Sequence, residues 1–351
     1  VVKVPCNDNL SGNNTVLKNW KFWLGIIISV VALFFTLRNV PFDAFVSALA
    51  TANVAWFVPA FLALMFVLTI RAVRWATLMG NAPVGITFHA QNIGYMVNMV
   101  LPLRLGEIVR AFVIGQRTPV NTPTALSSIV VERLLDLAAV VLMFVGFAQF
   151  IPMDATLARA ATVSAVLVVL LILVIGTVIW QSARMERLIE TLLQRFNVPN
   201  TTAWTQRLRQ FTQGFRLINT PQRFLIVLGC TVVTWLGNLA CAYFTMAAFF
   251  PPRLDQAGLM LVAANLGGAA PSAPGGLGIV QGFAKLALVL PFGLDEARAT
   301  ALAFVWSLGQ QLILIVLGLV GMVRIGLSFS QLQVSSNTNP PPSSSLKERR
   351  T

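Results

Sequence analysis

The chain has 351 residues, 56% hydrophobic, 10% aromatic and only 11% charged, with a formal net charge of +13. Soluble globular domains carry about 25% charged residues, so this composition excludes soluble enzymes, nucleic-acid-binding modules and disordered regulators and points to an all-α integral membrane protein. The positive surplus then reports topology rather than nucleic-acid binding, because basic residues collect in the cytoplasmic loops of membrane proteins.

Residues 1–21 form a polar N-terminal segment, with Lys18 and Lys21 just ahead of the first apolar run. That run begins near Phe22 and lacks a small-residue cleavage site, so it does not read as a signal peptide. A polytopic membrane domain is expected over 22–325, with about six transmembrane helices at 22–37, 53–70, 125–150, 161–180, 223–249 and 299–323. The first is short for a bilayer about 30 Å thick. Two further apolar stretches are interrupted: 86–115 by Pro102, Arg104, Gly106, Glu107 and Arg110, and 257–290 by Asn265 and the run 271–278. Proline and glycine free backbone groups that hydrocarbon cannot satisfy, so both read as broken or re-entrant helices packed inside the protein.

Charge orients these elements. The loop 181–222 with Arg223 carries Arg184, Arg187, Arg195, Arg207, Arg209 and Arg216 against Glu186 and Glu190, which places it in the cytoplasm. The N-terminus, Arg71, Arg74, Arg117 and the tail's Lys347, Arg349 and Arg350 fall on the same side; the opposite loops are acid-leaning, with Asp43, Asp154, Asp255, Asp295 and Glu296 against Arg38, Arg159, Arg253 and Arg298. The expected location is the cell membrane, multi-pass, with both termini cytoplasmic. The segment 184–218 is basic and amphipathic and reads either as a helix on the anionic inner leaflet or as a solvated loop helix. Residues 326–351 read as a disordered polar tail. Trp20, Trp23, Trp56, Trp75 and Trp306 fall near span ends and read as interface anchors. Cys6, Cys230 and Cys241 form no CxxC pair and His89 is the lone histidine, so neither a metal site nor a cofactor is expected.

The two interrupted segments resemble each other. Pro102-Leu-Arg-Leu-Gly106 aligns with Pro274-Gly275-Gly276-Leu-Gly278, and Thr124-Ala-Leu126 with Thr300-Ala-Leu302. An odd number of intervening spans inverts the second copy, and inverted repeats with broken helices meeting near the midplane recur among transporters.

The charges within apolar sequence need a reason. Glu107 lies i+3 from Arg104 and i−3 from Arg110, so one carboxylate could sit between two guanidiniums. The net positive charge suits a phosphate or other anionic headgroup; the alternative is an interfacial ion pair that anchors the segment. Glu132 and Asp136 share one helix face, and Arg133 is turned about 100° from Glu132, within reach of Glu107 or of a substrate phosphate. Ionisable groups at span centres face a protein interior or a wet cavity, and these serve either coupling or neutralisation of Arg104 and Arg110. Gly275, Gly276 and Gly278 permit close backbone approach before a helix N-terminus, an end that attracts anions; a plain turn is the simpler reading. Asn98, Asn265 and Gln281 either line a cavity or knit helices together.

The stretch Asn98–Arg110, followed by Glu132-Arg133-Leu-Leu-Asp136 and by Pro274–Gly278, resembles the lysylphosphatidylglycerol synthase transmembrane family, also called flippase-like domain proteins, over about residues 20–325. The resemblance implies an integral membrane domain associated with moving aminoacylated phospholipid between leaflets. It does not extend to the soluble aminoacyl-transfer domain of the best-known members, so lysyl transfer is not carried over. Gln281 is a departure, because family members often place glutamate after this glycine run. The expected function is translocation of a phospholipid or polyprenyl-phosphate-linked lipid, without enzymatic chemistry, its headgroup contacting Arg104, Arg110 and Arg133 and balanced by Glu107, Glu132 and Asp136. The alternatives are a secondary transporter of a small anion, a membrane-embedded lipid-modifying enzyme, or a membrane partner of a glycosyltransferase. The expected partners are membrane lipids and a lipid-modifying enzyme or glycosyltransferase.

Overall fold

The computed structural model of the chain describes residues 20–38, 40–80, 82–100, 105–150, 220–269 and 274–326, with isolated helical positions at 162, 166 and 170. All regular structure among them is helical: α1 (Trp20–Leu37), α2 (Phe42–Ala50), α3 (Phe57–Leu78, entered through the 3-10 turn Val54–Trp56), α4 (Val84–Val100), α5 (Gly106–Arg117), α6 (Thr122–Ala148), α7 (Pro221–Ala247), α8 (Leu254–Ala269), α9 (Ile279–Phe292, preceded by the 3-10 turn Pro274–Gly276) and α10 (Glu296–Ile325). The expected span 161–180, the basic loop 181–222 and the tail beyond 326 lie outside the described residues.

Three helical stretches, Val54–Leu78, Pro221–Ala247 and Glu296–Ile325, are long and apolar enough to cross a bilayer; Ile27–Leu37 and Phe42–Ala50, bent by 81° between them, would together make a fourth. α6 has 27 residues, about 40 Å at 1.5 Å per residue, and carries Glu132, Arg133 and Asp136 within it. The span expected at 53–70 is longer than that reading allowed. α3 continues through Arg71 and Arg74 to Leu78, and carboxylates on another helix compensate the Arg74 charge that made the apolar run look finished.

Local chemistry sets the boundaries. Asn121 caps α6 by accepting from Thr124 N at 2.9 Å, with Pro123 in the first turn where its missing N–H costs nothing. Asp295 caps α10 through Arg298 N at 2.8 Å. Between α4 and α5, the Asn98 side-chain oxygen accepts from Gly106 N at 2.8 Å and ties the two arms of the first broken segment together. Between α8 and α9, Gly278 has φ +82°, and a Cβ there would stand 2.6 Å from the Ser29 carbonyl oxygen and 2.7 Å from Leu33 N on α1. Only glycine meets both demands.

The packing has a regular plan. α3 lies along α7, and α4 along α10; α4 pairs with α5 and α8 with α9; α5 contacts α6 and α9 contacts α10; α3 contacts α4 and α7 contacts α8. α4 runs antiparallel to α10, with His89 opposite Gly321 and Met96 opposite Gly318. The end of α4 and the turn before α9 meet beside the middle of α10. Met99 Sδ lies against Gly275, and Gln311 Nε2 donates to the Gly275 carbonyl at 2.8 Å. Loops also sort into two ends. Asn53 N donates to the Ala248 carbonyl at 2.9 Å at one end, whereas Arg117 Nη2 reaches the Gly326 carbonyl at 3.4 Å at the other.

Candidate functional site

Seven ionisable side chains from three helices converge where α3, α5 and α6 meet, beside α4 and α7. α3 contributes Arg71, Arg74 and Trp75, which share a face at i, i+3 and i+4 spacing. α6 contributes Ser128, Glu132, Arg133 and Asp136; α5 contributes Glu107 and Arg110; Tyr95 on α4 and Thr231 and Trp235 on α7 border the group.

Arg74 is the centre. Its Nη1 donates to Asp136 Oδ1 at 2.8 Å and its Nη2 to Asp136 Oδ2 at 3.2 Å, a bidentate pair, while Nη2 also donates to Glu132 Oε1 at 3.0 Å. Nη1 has a further acceptor in the Thr231 hydroxyl at 3.3 Å, and Trp235 Nε1 donates to Asp136 Oδ1 at 3.3 Å. The second oxygen of Glu132 stands 2.9 Å from Arg110 Nη2, so Glu132 bridges two guanidiniums. The Arg110 guanidinium also lies over the Trp75 ring, 4.7 Å from its centroid, a geometry that favours a cation through the ring quadrupole. Trp75 is held in turn by donating Nε1 to the Ser128 hydroxyl at 2.9 Å. Arg74 is fully buried, and Arg110 and Glu132 are each 1% exposed. Charges so removed from water survive only when paired. Arg110 Nε and Nη1 have no hydrogen-bond acceptor.

A second pair sits nearer the surface. Arg133 Nη2 and Nε both approach Glu107 Oε1, at 2.7 and 2.8 Å, with side chains 38% and 25% exposed.

The sequence-predicted residues fare unequally. Arg110, Arg133, Glu107, Glu132 and Asp136 are brought together, but the expected Glu107–Arg110 pairing within one helix gives way to pairs between helices: Glu107 to Arg133 and Arg110 to Glu132. A tertiary partner that fits both guanidinium and carboxylate outcompetes an i+3 neighbour worth only ~0.2–0.5 kcal/mol. Arg104 and Pro102 lie outside the described residues. Asn98 and Gly106 join α4 to α5. Asn265 is exposed and donates to the Leu261 carbonyl of its own helix at 2.8 Å. Gln281 is fully buried; its Oε1 accepts from Gly278 N at 2.7 Å and its Nε2 donates to the Ser307 hydroxyl at 2.8 Å, so it secures the second broken segment. Pro274, Gly275 and Gly276 form the turn that meets Met99 and Gln311.

Arg74 and Trp75 were the residues sequence reasoning misplaced, Arg74 as a loop-side charge and Trp75 as an interface anchor. Both are wholly buried, as is most of Trp306. The available signal was the spacing of Arg71, Arg74 and Trp75, one helical face continuing an apolar run that faces two acids elsewhere in the chain. Near the second broken segment, Lys285 Nζ lies 2.6 Å from Glu296 Oε1 and donates to the Thr36 carbonyl at 2.8 Å. Among the described residues no group of three His, Cys, Asp or Glu side chains could hold a metal ion.

A family model described as the lysylphosphatidylglycerol synthase TM region matches residues 22–318. Comparison with curated proteins and with solved structures returns no match.

Proposed function

The chain belongs to the lysylphosphatidylglycerol synthase transmembrane-region family, and from that premise we propose that this membrane protein moves a phospholipid or polyprenyl-phosphate-linked lipid between leaflets of the cell membrane without making or breaking covalent bonds. Family membership ties the chain to membrane lipid metabolism or transport. The observation that carries the finer reading is the buried charge cluster: guanidiniums and carboxylates gathered where a broken segment meets full-length helices, with the Arg133–Glu107 pair at its more open edge. Such a polar group inside an apolar bundle gives a charged headgroup a place to leave water while acyl chains stay in lipid.

The same reading takes α3–α6 and α7–α10 as two inverted copies. What supports it is the matching order of contacts in the two halves, the sequence likeness of their breaks, and the meeting of the two tips at Gly275 beside Gln311. The first broken segment then enters from the cytoplasmic side and the second from the opposite side, with both termini cytoplasmic. A lipid-modifying enzyme or glycosyltransferase is the natural partner of such a translocator.

Reconstitution with fluorescent lipids tests the proposal. Wild-type protein should accelerate leaflet exchange of at least one anionic lipid, and Arg110→Ala and Glu107→Gln should each lower that rate at least ~10-fold, the worth of one charge-assisted hydrogen bond. Saturable uptake of a small anion without lipid exchange would replace the proposal with solute transport, and release of a chemically altered lipid would replace it with an enzyme.

A further inference from the structure

We infer that Arg71 and Tyr95 form the anion-contacting end of this cluster, taking one singly charged phosphate oxyanion. The inference deepens the translocation reading and rests on it only for the lipid origin of that anion.

The cluster holds Arg71, Arg74, Arg110 and Arg133 against Glu107, Glu132 and Asp136. Three arginines have carboxylates: Arg74 has Asp136 and Glu132, Arg110 has Glu132, and Arg133 has Glu107. Arg71 has no carboxylate at ion-pair distance among the described residues. Asp136 lies within its electrostatic range, but both Asp136 oxygens are already engaged by Arg74, and one also accepts from Trp235. Among the described residues of the cluster Arg71 is therefore the cation without a carboxylate, one positive charge in excess at a half-buried position whose Nε is enclosed, where an unpaired charge is costly.

Its hydrogen bonds agree. Arg71 Nη1 donates to the Tyr95 hydroxyl oxygen at 3.3 Å, and Arg71 Nε is enclosed with no acceptor. A phenol that accepts through its oxygen keeps its own O–H available as a donor. The pair thus presents unsatisfied guanidinium N–H groups and one hydroxyl, and Tyr95 supplies no compensating charge. Arg133 lies within electrostatic range of Tyr95 as well. Both Arg133 contacts fall on a single oxygen of Glu107. One excess positive charge is balanced by a phosphodiester monoanion, whereas a dianionic phosphomonoester would leave the site over-neutralised.

The test uses the full chain in vesicles of neutral lipid doped with phosphatidylglycerol, with binding followed by quenching of tryptophan fluorescence by a brominated phosphatidylglycerol. Arg71→Gln should weaken binding at least ~10-fold and Tyr95→Phe by ~3-fold or more, in keeping with charge-assisted and neutral hydrogen bonds; Arg253→Gln, at an exposed loop, should bind as wild type. Arg71→Lys keeps the charge and should retain most of the affinity if Arg71→Gln fails to fold. Phosphatidic acid, in its dianionic form, should bind less tightly than phosphatidylglycerol. Displacement by millimolar inorganic phosphate would support the anion site and assign it to a soluble ligand, overturning the lipid reading alone. Unchanged affinity in folded Arg71→Gln and Tyr95→Phe proteins would overturn the inference even if lipid exchange is observed.

Discussion

Arg74 shows how little a single residue's position in the sequence says about its burial. It ends an apolar run, where a cation ordinarily marks the water boundary, yet it is fully buried and binds two carboxylates. Removing one partner of such a group strands the others. Arg74→Met is expected to cost ~3–5 kcal/mol, since breaking a buried ion pair leaves an uncompensated charge behind, and thermal unfolding in detergent should show a large loss. Glu107→Gln touches a pair that is partly exposed, where the stability at stake is ~1 kcal/mol or less. It should therefore unfold close to wild type while losing lipid exchange, and equal destabilisation of the two variants would contradict the division into a structural core and an open edge. Glu107, Arg110, Glu132, Arg133 and Asp136 were legible because ionisable side chains inside apolar stretches demand partners. Arg74 was not, because its partners are 58 and 62 residues away and only folding brings them near.

At the level of helices, α4 ends at Val100 and α5 begins at Gly106, while α8 ends at Ala269 and α9 begins at Ile279, near the proline and glycine positions that interrupt the two apolar stretches. What holds each break is local and specific. Asn98 bonds Gly106 N across the first; Gln281 bonds Gly278 N in the second, and Lys285 joins α9 to the end of α1 and to α10. Gln281 stands where members of the family often have glutamate. Its side chain satisfies a backbone N–H and a hydroxyl at once, and an ionised carboxylate could accept from both Gly278 N and the Ser307 hydroxyl but would bring a charge that a fully buried site must balance. Gly278→Ala should be destabilising by ~1–3 kcal/mol, because the positive φ is strained for any L side chain and the added Cβ meets α1. A cysteine-free background carrying this change, followed by thermal unfolding, gives the check; a neutral result would mean that α1 yields easily.

Across the whole molecule, Arg117 meets Gly326 at one end of the helices, while Asn53 meets Ala248 at the other. The absolute orientation is open to direct labelling. In a chain with Cys6, Cys230 and Cys241 replaced, Arg184→Cys should react with an impermeant thiol reagent only from the cytoplasmic side and Arg253→Cys only from outside. The reverse pattern would invert the topology and with it the direction in which each broken segment enters. Large apolar side chains such as Phe42, Leu290 and Val323 remain 75–82% exposed, as suits surfaces that face lipid rather than water. The membrane character and the helical class follow from composition and periodicity, which are properties of the chain read in order. Which charges pair, and which arginine is left over, follows from α3, α5 and α6 being pressed together. Ion pairing depends on distances of about 3 Å between atoms far apart along the chain, and no local pattern encodes them.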